Sequence, residues 1–217
     1  MIHSKSSSET LKSVIIIGLC LVVFATMALI LNTEALKRFD LAIINVVQGI
    51  ISTPFTTFMI AITFLGSVKG VIIVTLIFTI FLLIRRRYLL SLYLMISVAV
   101  GAGVLNRLIK ALFHRERPGF LQLVSEHGYS FPSGHAMGSI ILIGGITFVL
   151  NQLMGRRQAT LFGLLISILL ILIIGISRVY LGVHYPSDII AGYALGGAWL
   201  VASIIVFKKV EKKHLKS

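Results

Sequence analysis

A chain of 217 residues that is 57% hydrophobic and 12% charged carries about half the charged fraction usual for a soluble domain. Its apolar residues lie in long runs without alternation, which excludes an ordinary water-soluble globule and points to an all-α, polytopic membrane protein. The formal net charge of +13 comes largely from clusters between the runs and in the tail (Lys208, Lys209, Lys212, Lys213, Lys216), which is the pattern of anchors beside anionic headgroups and not of a nucleic-acid surface.

Six runs are expected to span. The first, 14–31, follows Lys5 and Lys12; no small-x-small cleavage site comes after it, so a retained helix is expected, with a secretory leader as the alternative. Cys20 within it has no intrachain partner and reads as a small apolar filler. Next, Lys37, Arg38, Asn45, Gln48 and Ser52 recur at helical spacing, with Leu36, Phe39, Ile43, Val47 and Ile50 on the other side. This predicts an outward interfacial amphipathic helix. The run 55–65 after Pro54 is too short to span; it is either re-entrant or an extension of the second span, 68–84.

Arg85, Arg86 and Arg87 form a tight basic turn before the third span, 88–113, whose last turns carry Asn106, Arg107 and Lys110. The fourth span, 135–150, is short. Arg156 and Arg157 precede the fifth, 158–176, and the sixth covers 187–207. Gly192 and Gly196 on the sixth make a GxxxG pattern, read as internal packing in a monomer, with a dimer face as the alternative. With six crossings, both termini and the two arginine turns share one side. All four are basic, so that side is cytoplasmic and the polar loops face outward, in a multi-pass protein of the cell membrane.

Two of those outward loops hold the remaining ionisable residues. One reads "NRLIKALFHRERPGFLQLVSEHGYSFPSGH", the other "SRVYLGVHYPSD". Polar residues at membrane depth are costly and mark sites. Headgroup contact is enough to explain Arg107 or Arg115. It does not explain His184 and Asp188, which at four residues apart share a helix face, with Pro186 in its first turn. An Asp bonded to one imidazole nitrogen leaves the other free as a nucleophile. Arg178 suits bidentate phosphate contact.

Ser133 and Gly134 stand at the start of the fourth helix, where unpaired N–H groups favour an oxyanion, and His135 beside them is placed to protonate a leaving oxygen. Lys110 and Arg117, seven apart, face one way if the helix continues to Pro118. These groups describe phosphoryl transfer through a phospho-histidine. Glu116, Glu126 and Asp188 are too few carboxylates for a two-metal site, so neither metal nor cofactor is expected.

Three stretches, "KALFHRERP", "PSGH" and "SRVYLGVHYPSD", together resemble the signature of the type 2 phosphatidic acid phosphatase superfamily, over roughly residues 55 to 207. The resemblance implies a metal-independent lipid phosphatase with six membrane helices and an outward site, here a single integral-membrane domain over 1–217 with its signature in 110–188. It implies that His184 is the nucleophile, Asp188 its orienting partner, and His135 the general acid and later the base. Lys110, Arg117, Ser133, Gly134 and Arg178 would hold the phosphate. Small size and short loops are similar to the family's bacterial phosphatidylglycerophosphatases, which implies phosphatidylglycerophosphate as substrate, with phosphatidic acid or undecaprenyl diphosphate as alternatives. The loop with His127, Tyr129 and Phe131 is a candidate for headgroup choice, although His114 and His127 also read as ordinary loop histidines. A lipid transporter that only grips phosphate and a vanadium-dependent haloperoxidase sharing the signature are the rival readings.

Overall fold

The computed structural model describes residues 2–119, 121–154 and 157–214. Arg156 and Lys216, two of the basic anchors, lie outside the described residues, within which all regular structure is helical.

The first helix, α1 (Ile2–Leu29), begins well before the apolar run. Thr33 then caps α2 (Glu34–Gln48), its hydroxyl accepting the Leu36 N–H at 3.3 Å. A 119° bend separates α2 from α3 (Thr53–Thr63), which tightens into a 3₁₀ turn over Phe64–Gly66. Ser67, in extended conformation, ends that turn and caps α4 (Val68–Ile84) through the Gly70 N–H at 3.0 Å. The run 55–65 is therefore a helix of its own and does not lengthen the second span.

The third span is continuous from Tyr88 to Phe113 but changes pitch. Between α5 (Tyr88–Val98) and α6 (Asn106–Phe113) lies a π-helical segment, Ala99–Leu105. At the end of α5 the Ser97 carbonyl accepts the Trp199 indole N–H at 2.9 Å, and within the π-helical segment a Cβ on Gly101 would lie 2.4 Å from the Trp199 ring. His114, left-handed at φ 46°, ends α6.

The last three helices outrun the apolar segments that announced them: α7 (Gly134–Met154), α8 (Arg157–Tyr180) and α9 (Pro186–His214). Good helix formers such as Gln152, Leu153 and Met154 carry α7 past its apolar core, so it is not short. Basic residues in the last turn of α9 complement its dipole.

Among the described residues, five helical stretches are long and apolar enough to cross a bilayer; α4, with 17 residues, sits at the lower limit. Central α7 packs on α4, α5, α8 and α9, burying Leu94, Met137, Ile141, Val149 and Leu195, while α1 lies along α9. Leu19 and Val22 on α1, Leu76 on α4 and Leu165 on α8 are more than half exposed, a belt suited to hydrocarbon and not to water. The ends of α6 and α8 and the starts of α4, α7 and α9 gather at one end of this bundle, and the Arg85–Arg87 turn lies at the other.

Helices α2 and α3 both lie at the gathered end. Gln48 donates to the Leu121 and Tyr180 carbonyls, and the Tyr180 hydroxyl lies 2.8 Å from that of Thr56. The amphipathic helix exists, but its buried stripe is Leu36, Asp40 and Ile44, whereas Phe39 and Ile50 are exposed. Sequence spacing placed the stripe one step round because it followed the apolar residues Phe39 and Ile43 and left Asp40 out of account. The glycines Gly192 and Gly196 face α7: a Cβ on Gly192 would lie 2.7 Å from the Ser133 carbonyl and one on Gly196 3.0 Å from that of Met137.

Candidate active site

Chain geometry at the gathered end starts with the turn after α8. Gly182, at φ 74°, lets the chain reverse where a Cβ would lie 2.0 Å from the Leu121 carbonyl. The N–H groups of Val183 and His184 then donate back to the Arg178 carbonyl. This fixes His184 against the first turn of α9, and its Nδ1 sits 3.3 Å from Asp188 Oδ2. Its Nε2 lies 3.3 Å from Arg117 Nη1. A guanidinium only donates, so Nε2 faces it as the acceptor, which leaves the proton on Nδ1, toward Asp188. Burial, and then the charges of Lys110, Arg117 and Arg178, hold the His184 imidazole well below its ordinary pKa.

Lys110 and Arg117 do not share a helix. α6 stops at Phe113, and the pair is joined by an irregular loop instead. Backbone carbonyls hold them: Lys110 Nζ donates to Tyr129 at 2.6 Å, and Arg117 donates to Gly128 and His127 of the same loop and to Val183 in the turn after α8. The His114 ring meets Tyr129 edge-on at 4.5 Å, as a loop contact. Burial lowers the Arg117 pKa, against the opposing pull of Glu126 and Asp188.

Ser133 ends the loop and starts α7. Its N–H donates to the Asp188 carbonyl and its hydroxyl accepts the Ala136 N–H at 3.4 Å, which leaves the hydroxyl proton available to an anion. Gly134 stands against Asn106, whose Oδ1 would be 3.0 Å from a Cβ there. His135, one residue further, lies within electrostatic reach of Arg178, His184, Lys110 and Arg117.

Arg178 is 1% exposed. Its Nη1 donates to Thr63 and its Nη2 pairs with Glu126, but its buried Nε–H has no partner among the described residues. Glu126 also approaches Arg117 Nη2 at 4.0 Å. A carboxylate thus occupies the space between two guanidinium groups, next to an unpaired donor, which is the chemistry of an anion site.

Two groups that the sequence reading passed over complete the cluster. Arg115, read there as a headgroup contact, pairs instead with Asp188 at 2.6 Å and Asp40 at 2.9 Å. Asp40 is fully buried. The signal that would have found it is an acid on the apolar stripe of an amphipathic helix.

Two imidazoles, a buried carboxylate, three cations and a helix N-terminus thus converge at one end of a membrane bundle, a set of groups whose chemistry suits phosphoryl transfer. Residues 88–212, more than half of the chain, match the family model of the PAP2 superfamily, and the chain belongs to that superfamily. It is a lipid phosphatase, an enzyme that hydrolyses phosphate esters.

Among its relatives, phosphatidylglycerophosphatase B of Bacillus subtilis is 30% identical over 176 residues, covering 80% of this chain and 85% of that protein. An undecaprenyl-diphosphatase of Sulfolobus acidocaldarius is 30% identical over 142 residues, covering 60% of this chain and 64% of that one. In three dimensions the chain is similar to the crystal structure of a transmembrane PAP2-type phosphatidylglycerolphosphate phosphatase from Bacillus subtilis. That match has a TM-score of 0.83 at 26% identity and covers 91% of this chain and 96% of the other.

Proposed function

We propose that this phosphatase releases phosphate from phosphatidylglycerophosphate, leaving phosphatidylglycerol, through a phosphoryl group carried on His184. The observation that carries the mechanism is the His184 ring, with Nδ1 on Asp188 and Nε2 turned to Arg117 within the cationic cluster. Nε2 attacks phosphorus; the P–O bond to the lipid breaks, and the leaving oxygen takes a proton from His135. His135 then accepts a proton from water, whose oxygen attacks phosphorus and breaks the P–N bond to free phosphate. Lys110, Arg117, Arg178, the Ser133 hydroxyl and the α7 N-terminus at Gly134 hold the equatorial oxygens throughout. Asp188 keeps His184 in the reactive tautomer.

Similarity to phosphatidylglycerophosphatase B over most of both chains supports the choice of lipid. Undecaprenyl diphosphate is the alternative, supported by the archaeal relative named above. The membrane disposition follows from charge: with the arginine turn and the Lys-rich tail cytoplasmic, the site opens on the extracytoplasmic side of a multi-pass monomer. Purified protein, offered phosphatidylglycerophosphate, phosphatidic acid and undecaprenyl diphosphate in one defined detergent, is expected to show its highest kcat/KM on the first. A larger value on undecaprenyl diphosphate transfers the assignment to the alternative.

The pH dependence follows from the depressed imidazole. His184 must be neutral to attack, and burial with three neighbouring cations keeps it neutral below the usual range. Activity is therefore retained as pH falls through about 6.5 and is lost only below that. Lys110→Gln removes one of those charges, so its acid limb should move to higher pH. Titration of the substrate is common to both proteins and cancels in the comparison; superimposable acid limbs would show that Lys110 does not tune His184.

A further inference from the structure

Asp40, fully buried, and Arg115, largely shielded from solvent, are ionic groups that the reaction above does not use. Asp40 Oδ1 accepts the Ser187 N–H at 2.9 Å, and its Oδ2 accepts the Ser187 hydroxyl at 2.6 Å. Arg115 binds the same Oδ2 through Nη2, and through Nη1 it donates to Ser187 Oγ at 2.8 Å and Asp188 Oδ1 at 2.6 Å. Its guanidinium carbon lies 3.9 Å above the centre of the Tyr185 ring. Apart from the Arg115–Asp40 pair itself, each of these contacts ends on the first turn of α9 or on the residue just before it.

The consequence for Asp188 is geometric. It is fully buried, and an unpaired carboxylate there is costly. Arg115 takes Oδ1, which leaves Oδ2 to the Tyr185 N–H at 2.9 Å and to His184 Nδ1. Arg115 and Arg117 are two residues apart in an irregular segment and grip the His184–Asp188 pair from opposite ends, one on the carboxylate, the other on Nε2. Only Arg117 faces the anion site. Asp40, held on α2, fixes Arg115 in turn.

We propose that Arg115 and Asp40 are positioning residues, a buried clamp that sets the Asp188 carboxylate and through it the aim and tautomer of His184. The proposal rests on the roles given above to His184 and Asp188. A clamp of this kind acts on the chemical step and not on phosphate binding. Losing an outer-shell partner of a reactive group typically lowers activity about 10–100-fold.

Arg115→Gln should therefore lower kcat by about 10–100-fold, with KM and the inhibition constant for inorganic phosphate within about twofold. Asp40→Asn should lower kcat less, and Arg115→Lys should recover part of the loss. Because both residues act through Asp188, the double variant should be no worse than Arg115→Gln alone, as expected of coupled neighbours. Retained phosphate inhibition shows that each variant is folded. Losses that multiply in the double variant, a rise in KM and in the phosphate constant matching the fall in kcat, or unchanged kcat each overturn the clamp. Asp188→Asn, assayed beside them, separates the two readings: full activity there removes the orienting role of Asp188, whereas an inactive Asp188→Asn with active Asp40→Asn and Arg115→Gln removes the clamp alone.

Discussion

His184→Ala is expected to lower phosphate release by at least about 10³-fold, since removing a covalent nucleophile leaves only the binding and electrostatic part of catalysis. The variant should still fold. Asp188 keeps the Tyr185 N–H and Arg115, and Arg117 keeps three backbone carbonyls, so no charge is stranded when the imidazole goes. Inorganic phosphate should accordingly still bind, held by Lys110, Arg117 and Arg178. That combination separates an enzyme from a transporter that merely grips phosphate. A second readout is covalent: labelled substrate, stopped in alkali, should leave acid-labile phosphate on the wild-type chain and none on the variant. Undiminished turnover by His184→Ala would remove the nucleophile assignment whatever the fate of the label.

How much of this was legible in the chain depends on which forces wrote it. Long apolar runs announced the spanning helices, because a bilayer requires roughly twenty consecutive apolar residues and tolerates little else. Their ends were not legible. Hydropathy stops where α7 meets Asn151 and Gln152, but backbone hydrogen bonding does not, so α7, α8 and α9 all continue into polar sequence. Lys110 and Arg117 fell within reach of each other for a reason that helical spacing misjudged: His114 turns left-handed, and loop carbonyls orient both cations.

Glu126 and Asp40 were the least legible. A lone carboxylate in a loop or on an amphipathic helix reads as solvated, and its meaning appears only when Arg178 and Arg115 are found beside it. Asp40 and Arg115 are also far apart in sequence, so no spacing rule pairs them. The two meet because α2 is held at the gathered end by long-range contacts, such as Gln48 with the Leu121 and Tyr180 carbonyls and Asp40 with Ser187.

His135→Gln carries the second large effect, and its size should depend on the leaving group. A glycerol or prenol alkoxide is a poor leaving group unless protonated, and general acid catalysis typically contributes about 10²–10⁴-fold. A nitrophenolate needs no proton near neutral pH. In the variant, release of the lipid alcohol should therefore fall by about that factor, while the first turnover of p-nitrophenyl phosphate is nearly preserved. The second half-reaction still needs a base for water, and His184, the other imidazole of the site, then carries the phosphoryl group. So the variant should release about one nitrophenolate per enzyme in a burst and then stall with phosphate on His184. This pattern distinguishes an acid–base role from a phosphate-binding one, because a lost phosphate contact slows both substrates alike and gives no burst. Equal first-turnover losses on the lipid and the nitrophenyl ester would strip His135 of its acid role. A variant that turned over nitrophenyl phosphate steadily, without stalling, would strip it of the base role as well.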